Sequence, residues 1–113
     1  MDELTTQEEV QYFVNENPIA VIFKAGKCRQ TEEALKRLTP FFKQYPGIPA
    51  AMIDVVDHRD ASSMATSLSG KKHESPQLLL FKNENCVFES NHWRIEAMTL
   101  IEAVKLHFKD RNA

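Results

Sequence analysis

Apolar residues recur along this chain with two different spacings. In four stretches they return every three or four positions, and in four shorter ones they run together or alternate; the first spacing predicts amphipathic helices and the second strands. Val10, Phe13 and Val14 form the face of a first helix, with Thr5 and Glu8 at capping-box spacing before it and Asn17-Pro18 stopping it. Ile19 to Phe23 follows without polar alternation, as a central strand covered on both faces would. Thr31, Ala34, Leu35, Leu38, Phe41, Phe42 and Tyr45 then make a long helix, kinked rather than broken at Pro40 because the apolar face continues past it, and ended by Pro46-Gly47.

Ala50 to Val56 gives the second strand. Asp60 is placed to cap a short helix carrying Ala61, Met64, Ala65 and Leu68, which Gly70 closes. Gln77 to Lys82 and Cys86 to Ser90 read as an antiparallel hairpin about Asn83-Glu84-Asn85, and Ala97, Ile101, Val104 and Phe108 as the last helix. The resulting order is α, β, α, β, α, β, β, α. Its strand-helix-strand start implies a parallel pair, and its end an antiparallel one.

Length and charge narrow the function. With 113 residues the chain is expected to form one domain, 1–113, able to bury a core without metal or disulfide support. A net charge of -2 gives no basic excess for nucleic acid. No apolar run is long enough for a membrane span, and Met-Asp-Glu-Leu-Thr-Thr lacks the features of a secretory signal, so the expected place is the cytoplasm. The two cysteines, Cys28 and Cys86, do not suggest a disulfide framework, and the four histidines show no zinc-ligand spacing, so no metal or bound cofactor is expected.

The chemistry concentrates at Cys28, between the first long strand and the long helix. Backbone N–H groups at a helix start carry partial positive charge and no helical partner, so they favour a thiolate over a thiol. Lys27 and Arg29 add flanking cations, Gly26 allows a tight turn and close approach, and Glu32 and Glu33 oppose ionisation. A free cysteine is only about 3% ionised at pH 7, whereas one with its pKa lowered to about 6 is about 90% ionised. Thr31 stands one turn along, where its hydroxyl can bond the thiolate or the backbone. The bland alternative for Cys28, a small core residue, fits poorly with its charged and polar neighbours. Cys86 alternates with Val87 on a hairpin strand and is expected in the core, while Trp93 is expected to cap the last strand and helix.

The element order with a thiol at the first strand-to-helix corner is the thioredoxin arrangement. With His73-Glu74-Ser75-Pro76-Gln77, the following Leu78 to Lys82, and Asn91-His92-Trp93-Arg94-Ile95, the chain resembles the YtxJ-type monothiol bacilliredoxins, small thioredoxin-like proteins of the bacillithiol system. The family's reactive segment usually reads Thr-Cys-Pro-Ile-Ser; here it is Lys27-Cys28-Arg29-Gln30-Thr31, which keeps the sulfur and the terminal hydroxyl. The resemblance implies a thioredoxin-like α/β fold with a central mixed four-stranded sheet and four helices. It also implies that Pro76 is cis beside the thiol, so that Ser75 can pair with an extended substrate segment.

The function implied is that of a cytoplasmic monothiol thiol-disulfide oxidoreductase. Cys28 is its catalytic residue, Lys27, Arg29 and Thr31 support the thiolate, and Ser75, Pro76 and His73 bind substrate. Its partners would be bacillithiolated client proteins and a low-molecular-weight thiol, with bacillithiol as co-substrate. Lys24, Lys27, Arg29, Lys71, Lys72 and His73 are expected to gather into a cationic surface suited to the carboxylates of that thiol. Two other readings compete. The altered Lys27 to Thr31 segment suits a redox-inert thioredoxin-fold module for stress or partner binding, and a monothiol dimer carrying an iron-sulfur cluster is disfavoured by the absence of a Cys-Gly-Phe-Ser run.

Overall fold

The elements in chain order are β1 (Asp2–Glu3), α1 (Gln7–Glu16), β2 (Ile19–Ala25), α2 (Arg29–Gln44), β3 (Ala50–Asp54), α3 (Arg59–Ser69), β4 (Gln77–Lys82), β5 (Asn85–Asn91), a 3-10 turn (His92–Arg94) and α4 (Ala97–His107). The computed structural model describes residues 1–108, so the last five positions of the expected 1–113 unit lie outside the described residues. The sheet order is β1-β3-β2-β4-β5. β2 and β3 are parallel, while β2, β4 and β5 are mutually antiparallel in succession. The expected thioredoxin-like fold is present with one strand more than expected. β1 is a polar, exposed dipeptide with no periodicity to announce it; it joins the edge because Leu4 is buried and its N–H donates to the Met52 carbonyl at 2.8 Å. None of the described helices is long and apolar enough to cross a membrane.

The lack of polar alternation in β2 has its cause in burial on both faces. Val21, Phe23 and Ala25 pack with Leu38, Phe41, Leu80, Leu100 and Val104 under α2 and α4. Ala20 and Ile22 pack with Val10, Val14, Ile53, Ala61 and Phe81 under α1 and α3. Each large side chain so buried stabilises the fold by roughly 1.5–3 kcal/mol relative to exposure. α2 runs unbroken through the exposed Pro40 because Ala34, Leu38 and Phe41 on either side of it are fully buried.

Several boundaries differ from expectation for local reasons. α1 is capped by Thr6, whose Oγ1 accepts from Glu9 N at 3.1 Å, while the Glu9 carboxylate accepts from Thr5 N and Oγ1 at 2.7 and 2.9 Å. The doubled Thr5-Thr6 and Glu8-Glu9 offered the capping spacing in two registers, and the anchored Leu4 selects the later one. β3 stops at Asp54 rather than Val56, because the Asp54 carboxylate accepts from Val56 N and Asp57 N at 3.0 Å and turns the chain. That turn starts α3 early, with His58 at the N-cap and Asp60 already inside the first turn; Gly70 ends it with φ of 69°. In the hairpin Asn83 and Glu84 take φ of 47° and 72° between the paired Lys82 and Asn85, as a two-residue turn of this hand requires.

Topology sets the site. Lys24 near the end of β2 pairs with Gln77 at the start of β4, so the loop before β4 lies beside the corner that follows β2.

Candidate active site

At that corner β2 ends, the chain turns through Gly26 and Lys27, and Cys28 becomes the N-cap of α2. Cys28 is exposed and free, not a core residue. Thr31 is buried in the first turn, where its Oγ1 accepts from Gly26 N at 3.0 Å and lies 3.8 Å from the Cys28 Sγ. With an oxygen lone pair engaged by Gly26, the Thr31 hydroxyl is free to donate to a thiolate. The Cys28 pKa lies below that of an ordinary cysteine. The causes are the backbone N–H of Thr31 first, then its hydroxyl, then the N–H groups of Gln30 and Cys28, with desolvation opposing them. These N–H groups belong to the helix start, where that of Thr31 also bonds the Cys28 carbonyl at 3.1 Å.

Lys27 is drawn elsewhere. Its Nζ lies 2.9 Å from both Asp54 Oδ2 and Asp57 Oδ2, an arrangement that holds its pKa above the ordinary lysine value, by the Asp54 hydrogen bond first. A cation shared by two carboxylates presents little net positive charge to the neighbouring sulfur. Arg29 is highly exposed and reaches Glu33 at 4.0 Å, a solvent-screened pair. The expected single cationic surface is therefore divided. Lys24 points inward to Thr66, and His73 stands with its Nδ1 3.5 Å from Ser62 Oγ on the α3 side.

The loop from Lys71 to Pro76 is held opposite the thiol. The Ser75-Pro76 peptide is cis, and Pro76 is buried. A Cβ built on Gly26 would lie 2.7 Å from Ser75 Oγ, 3.6 Å from Thr31 Oγ1 and 3.9 Å from Cys28 Sγ, so the structure brings Gly26, Cys28, Thr31 and Ser75 together. The Pro76 carbonyl accepts from His92 N at 3.1 Å.

His92, undecided in the sequence, forms a bridge. Its Nε2 is 2.9 Å from Glu74 Oε1 and its Nδ1 is 3.4 Å from Gln30 Oε1, linking the proline loop to the first turn of α2. The His92 ring holds the Glu74 carboxyl below its ordinary pKa. Arg37 locks the 3-10 turn from α2, with Nε donating to the Ile95 carbonyl at 2.8 Å and Nη2 to the His92 carbonyl at 3.0 Å. Gln77, 1% exposed, donates to the Lys72 carbonyl at 2.9 Å and to Glu89 Oε2 at 3.0 Å, fixing the other end of the loop. The only sign of these partnerships in the sequence was that Glu74, Gln77 and His92 stand in the two quoted C-terminal motifs.

Of two expectations for side chains away from the thiol, that for Trp93 came out differently and that for Cys86 came out in outline. Trp93 is 70% exposed rather than a cap; Ile95, 0% exposed, fills the core at that point. Cys86 is part-buried against the α1 and α3 layer, where burial raises its thiol pKa, while Val87 packs on the opposite face. The register shift between Leu80 and Phe81 permits Val87 and Phe88 to share that face.

The geometry compares closely with known folds. A solved protein with a thioredoxin fold superposes with a TM-score of 0.83 at 23% identity, covering 90% of this chain and 91% of that one. Thioredoxin from Fasciola hepatica gives a TM-score of 0.74 at 17% identity over 95% and 99% of the two chains. Mitochondrial thioredoxin 3 from Saccharomyces cerevisiae gives 0.74 at 18% over 93% of each. At these identities the likeness concerns the fold. The family model described as monothiol bacilliredoxin BrxC matches residues 2–100, and with its thioredoxin fold the chain belongs to this family of thiol-disulfide oxidoreductases.

Proposed function

We propose that the protein removes bacillithiol from protein mixed disulfides in the cytoplasm, with Cys28 as nucleophile. The observation that carries this reading is the exposed Cys28 sulfur at the N-terminus of α2, with Thr31 beneath it and Ser75 beside it. The Cys28 thiolate attacks the bacillithiol sulfur of the mixed disulfide. The client–bacillithiol S–S bond breaks as the Cys28–bacillithiol bond forms, and the client departs as a thiolate. A second bacillithiol thiolate then attacks the bacillithiol sulfur held on Cys28, forming bacillithiol disulfide and returning Cys28 to its thiolate. Thr31 has no thiol, so resolution comes from outside the chain.

In this scheme Ser75 offers main-chain groups to an extended client segment, the cis Ser75-Pro76 peptide shapes the loop that presents them, and His73 contributes from the exposed part of that loop. The scheme needs a compartment where thiols stay reduced, which the cytoplasm provides.

Incubating the reduced protein with a bacillithiolated client and weighing both by intact mass spectrometry tests the proposal. The adduct is expected to leave the client and appear on wild type, and to stay on the client with Cys28→Ser. An adduct that remains on the client in the presence of wild type refutes the reading.

A further inference from the structure

Lys24 is the only charged side chain in the buried class among the described residues, at 0% exposure. On β2 it alternates with Phe23 and Ala25, which face α2 and α4, so it points to the α3 side. Its Nζ donates to Thr66 Oγ1 at 3.0 Å, and no carboxylate of the described residues forms an ion pair with it. An ammonium has three donors, and a buried charge without a counterion is costly. Burial lowers the Lys24 pKa to about 8, which leaves it mainly protonated at pH 7.

The neighbouring surface offers a place for an anion. Thr66, which receives Lys24, also lines a recess of about 440 Å³ with Arg59, Ser62, Ser63, Ser67 and His73. No acidic residue lines it. Three carboxylates of the adjoining segments are engaged elsewhere, Asp54 and Asp57 with Lys27 and Glu74 with His92, while the exposed Asp60 beside Arg59 in the chain is in no ion pair among the described residues. The recess therefore combines hydroxyl donors, a guanidinium and an imidazole, and the buried Lys24 ammonium lies behind it, one hydrogen bond away through Thr66. A buried ammonium behind such a lining adds positive potential to the opening without itself touching what enters it.

The recess is tied to the segments that form the thiol corner. His73 is two residues from Ser75, and the N–H of Val55, another lining residue, donates to the Ala25 carbonyl at 3.0 Å, one residue before Gly26. We propose that this recess is a dicarboxylate subsite that holds the carboxylate end of the low-molecular-weight thiol while its sulfur exchanges at Cys28. The identity of that thiol rests on the function proposed above; the preference of the recess for a small dianion rests on Lys24, Arg59 and the hydroxyls.

The test uses L-malate as the probe on the reduced full chain, followed by amide NMR. Saturable shifts are expected at Ser62, Ser63, Thr66, Ser67 and His73, with none from the uncharged dimethyl ester. Lys24→Met, which keeps the length and apolar stem, should weaken malate binding roughly tenfold, and the exposed Arg59→Gln should weaken it severalfold. In exchange assays wild type should prefer a bacillithiolated client over an S-cysteinylated one, and Lys24→Met should lose that preference. Absence of saturable malate shifts, or equal binding by Lys24→Met and Arg59→Gln, overturns the subsite even if the adduct still reaches Cys28. Malate binding without a preference for the bacillithiolated client overturns its assignment to the thiol and makes it a site for free dicarboxylates. Malate binding without any transfer to Cys28 instead removes the exchange reading.

Discussion

Ser75 Oγ lies 2.7 Å from the point where a side chain on Gly26 would begin. Real Cβ atoms do not sustain such a separation, so the thiol corner and the proline loop approach as closely as they do because position 26 has no side chain. The same point is 3.9 Å from the Cys28 sulfur, so a side chain at position 26 would also stand in van der Waals contact with the nucleophile.

Gly26→Ala is therefore expected to push Ser75 away from Cys28 at a cost of about 1–3 kcal/mol, the usual range for overpacking. Urea unfolding should show the loss of stability, and exchange with a disulfide-bonded peptide should slow. Combining it with Ser75→Ala removes the colliding oxygen and should restore part of the stability. A double variant no more stable than Gly26→Ala alone would contradict the clash.

Thr31→Val keeps the shape of the side chain but removes the hydroxyl that accepts from Gly26 N and faces the sulfur. Leaving the Gly26 N–H without that partner should cost about 1–3 kcal/mol. The Cys28 pKa should rise, seen as a shift of the pH profile of iodoacetamide alkylation to higher pH, while Thr31→Ser keeps the wild-type profile. Superimposable profiles for wild type and Thr31→Val would remove Thr31 from the support of the thiolate.

Acid should reveal the Asp54 turn. Its pKa is lowered from 3.8 to about 2, first by the Asp57 N–H and next by Lys27. The folded state thus binds fewer protons than the unfolded state in this window. The contribution is present above the unfolded pKa and is lost as pH falls from about 4 toward 2. Glu9 and Glu74, also lowered, act in the same direction. Urea midpoints measured between pH 5 and 2 should fall less steeply for Asp54→Asn than for wild type; parallel curves would count against the assignment.

Arg37 ties α2 to the turn that carries His92. Arg37→Ala should cost about 1.5–3 kcal/mol, as hydrogen bonds to a charged group do, and Arg37→Lys should recover only part because an ammonium cannot reproduce the forked donation. Hydrogen exchange at Ile95, whose N–H bonds the His92 carbonyl at 3.4 Å, should accelerate in both variants. Unchanged exchange would show that the turn holds without the guanidinium.

Much of the fold was legible because its causes are local. The continuous apolar run of β2, the three- and four-residue spacing after Cys28 and the Gly70 stop each reflect a periodicity or a backbone preference within one element. The family could likewise be read from short motifs. β1 escaped notice because two exposed acidic residues carry no pattern, and the helix starts shifted where two cap registers competed or where the Asp54 side chain intervened.

By itself the sequence determined the order of the helices and of every strand after β1, the thioredoxin-like arrangement and the presence of a thiol at a helix start, all consequences of neighbours along the chain. The tertiary structure decided which groups that thiol meets and where the cations go. Asp54 and Asp57 claim Lys27, Thr66 receives Lys24 beneath the sheet, and His92 joins Glu74 to Gln30. The physical reason is that electrostatic and hydrogen-bond partners are chosen by proximity in space. The sheet order that puts β4 beside β2 brings together residues that are 18 to 62 positions apart in the chain.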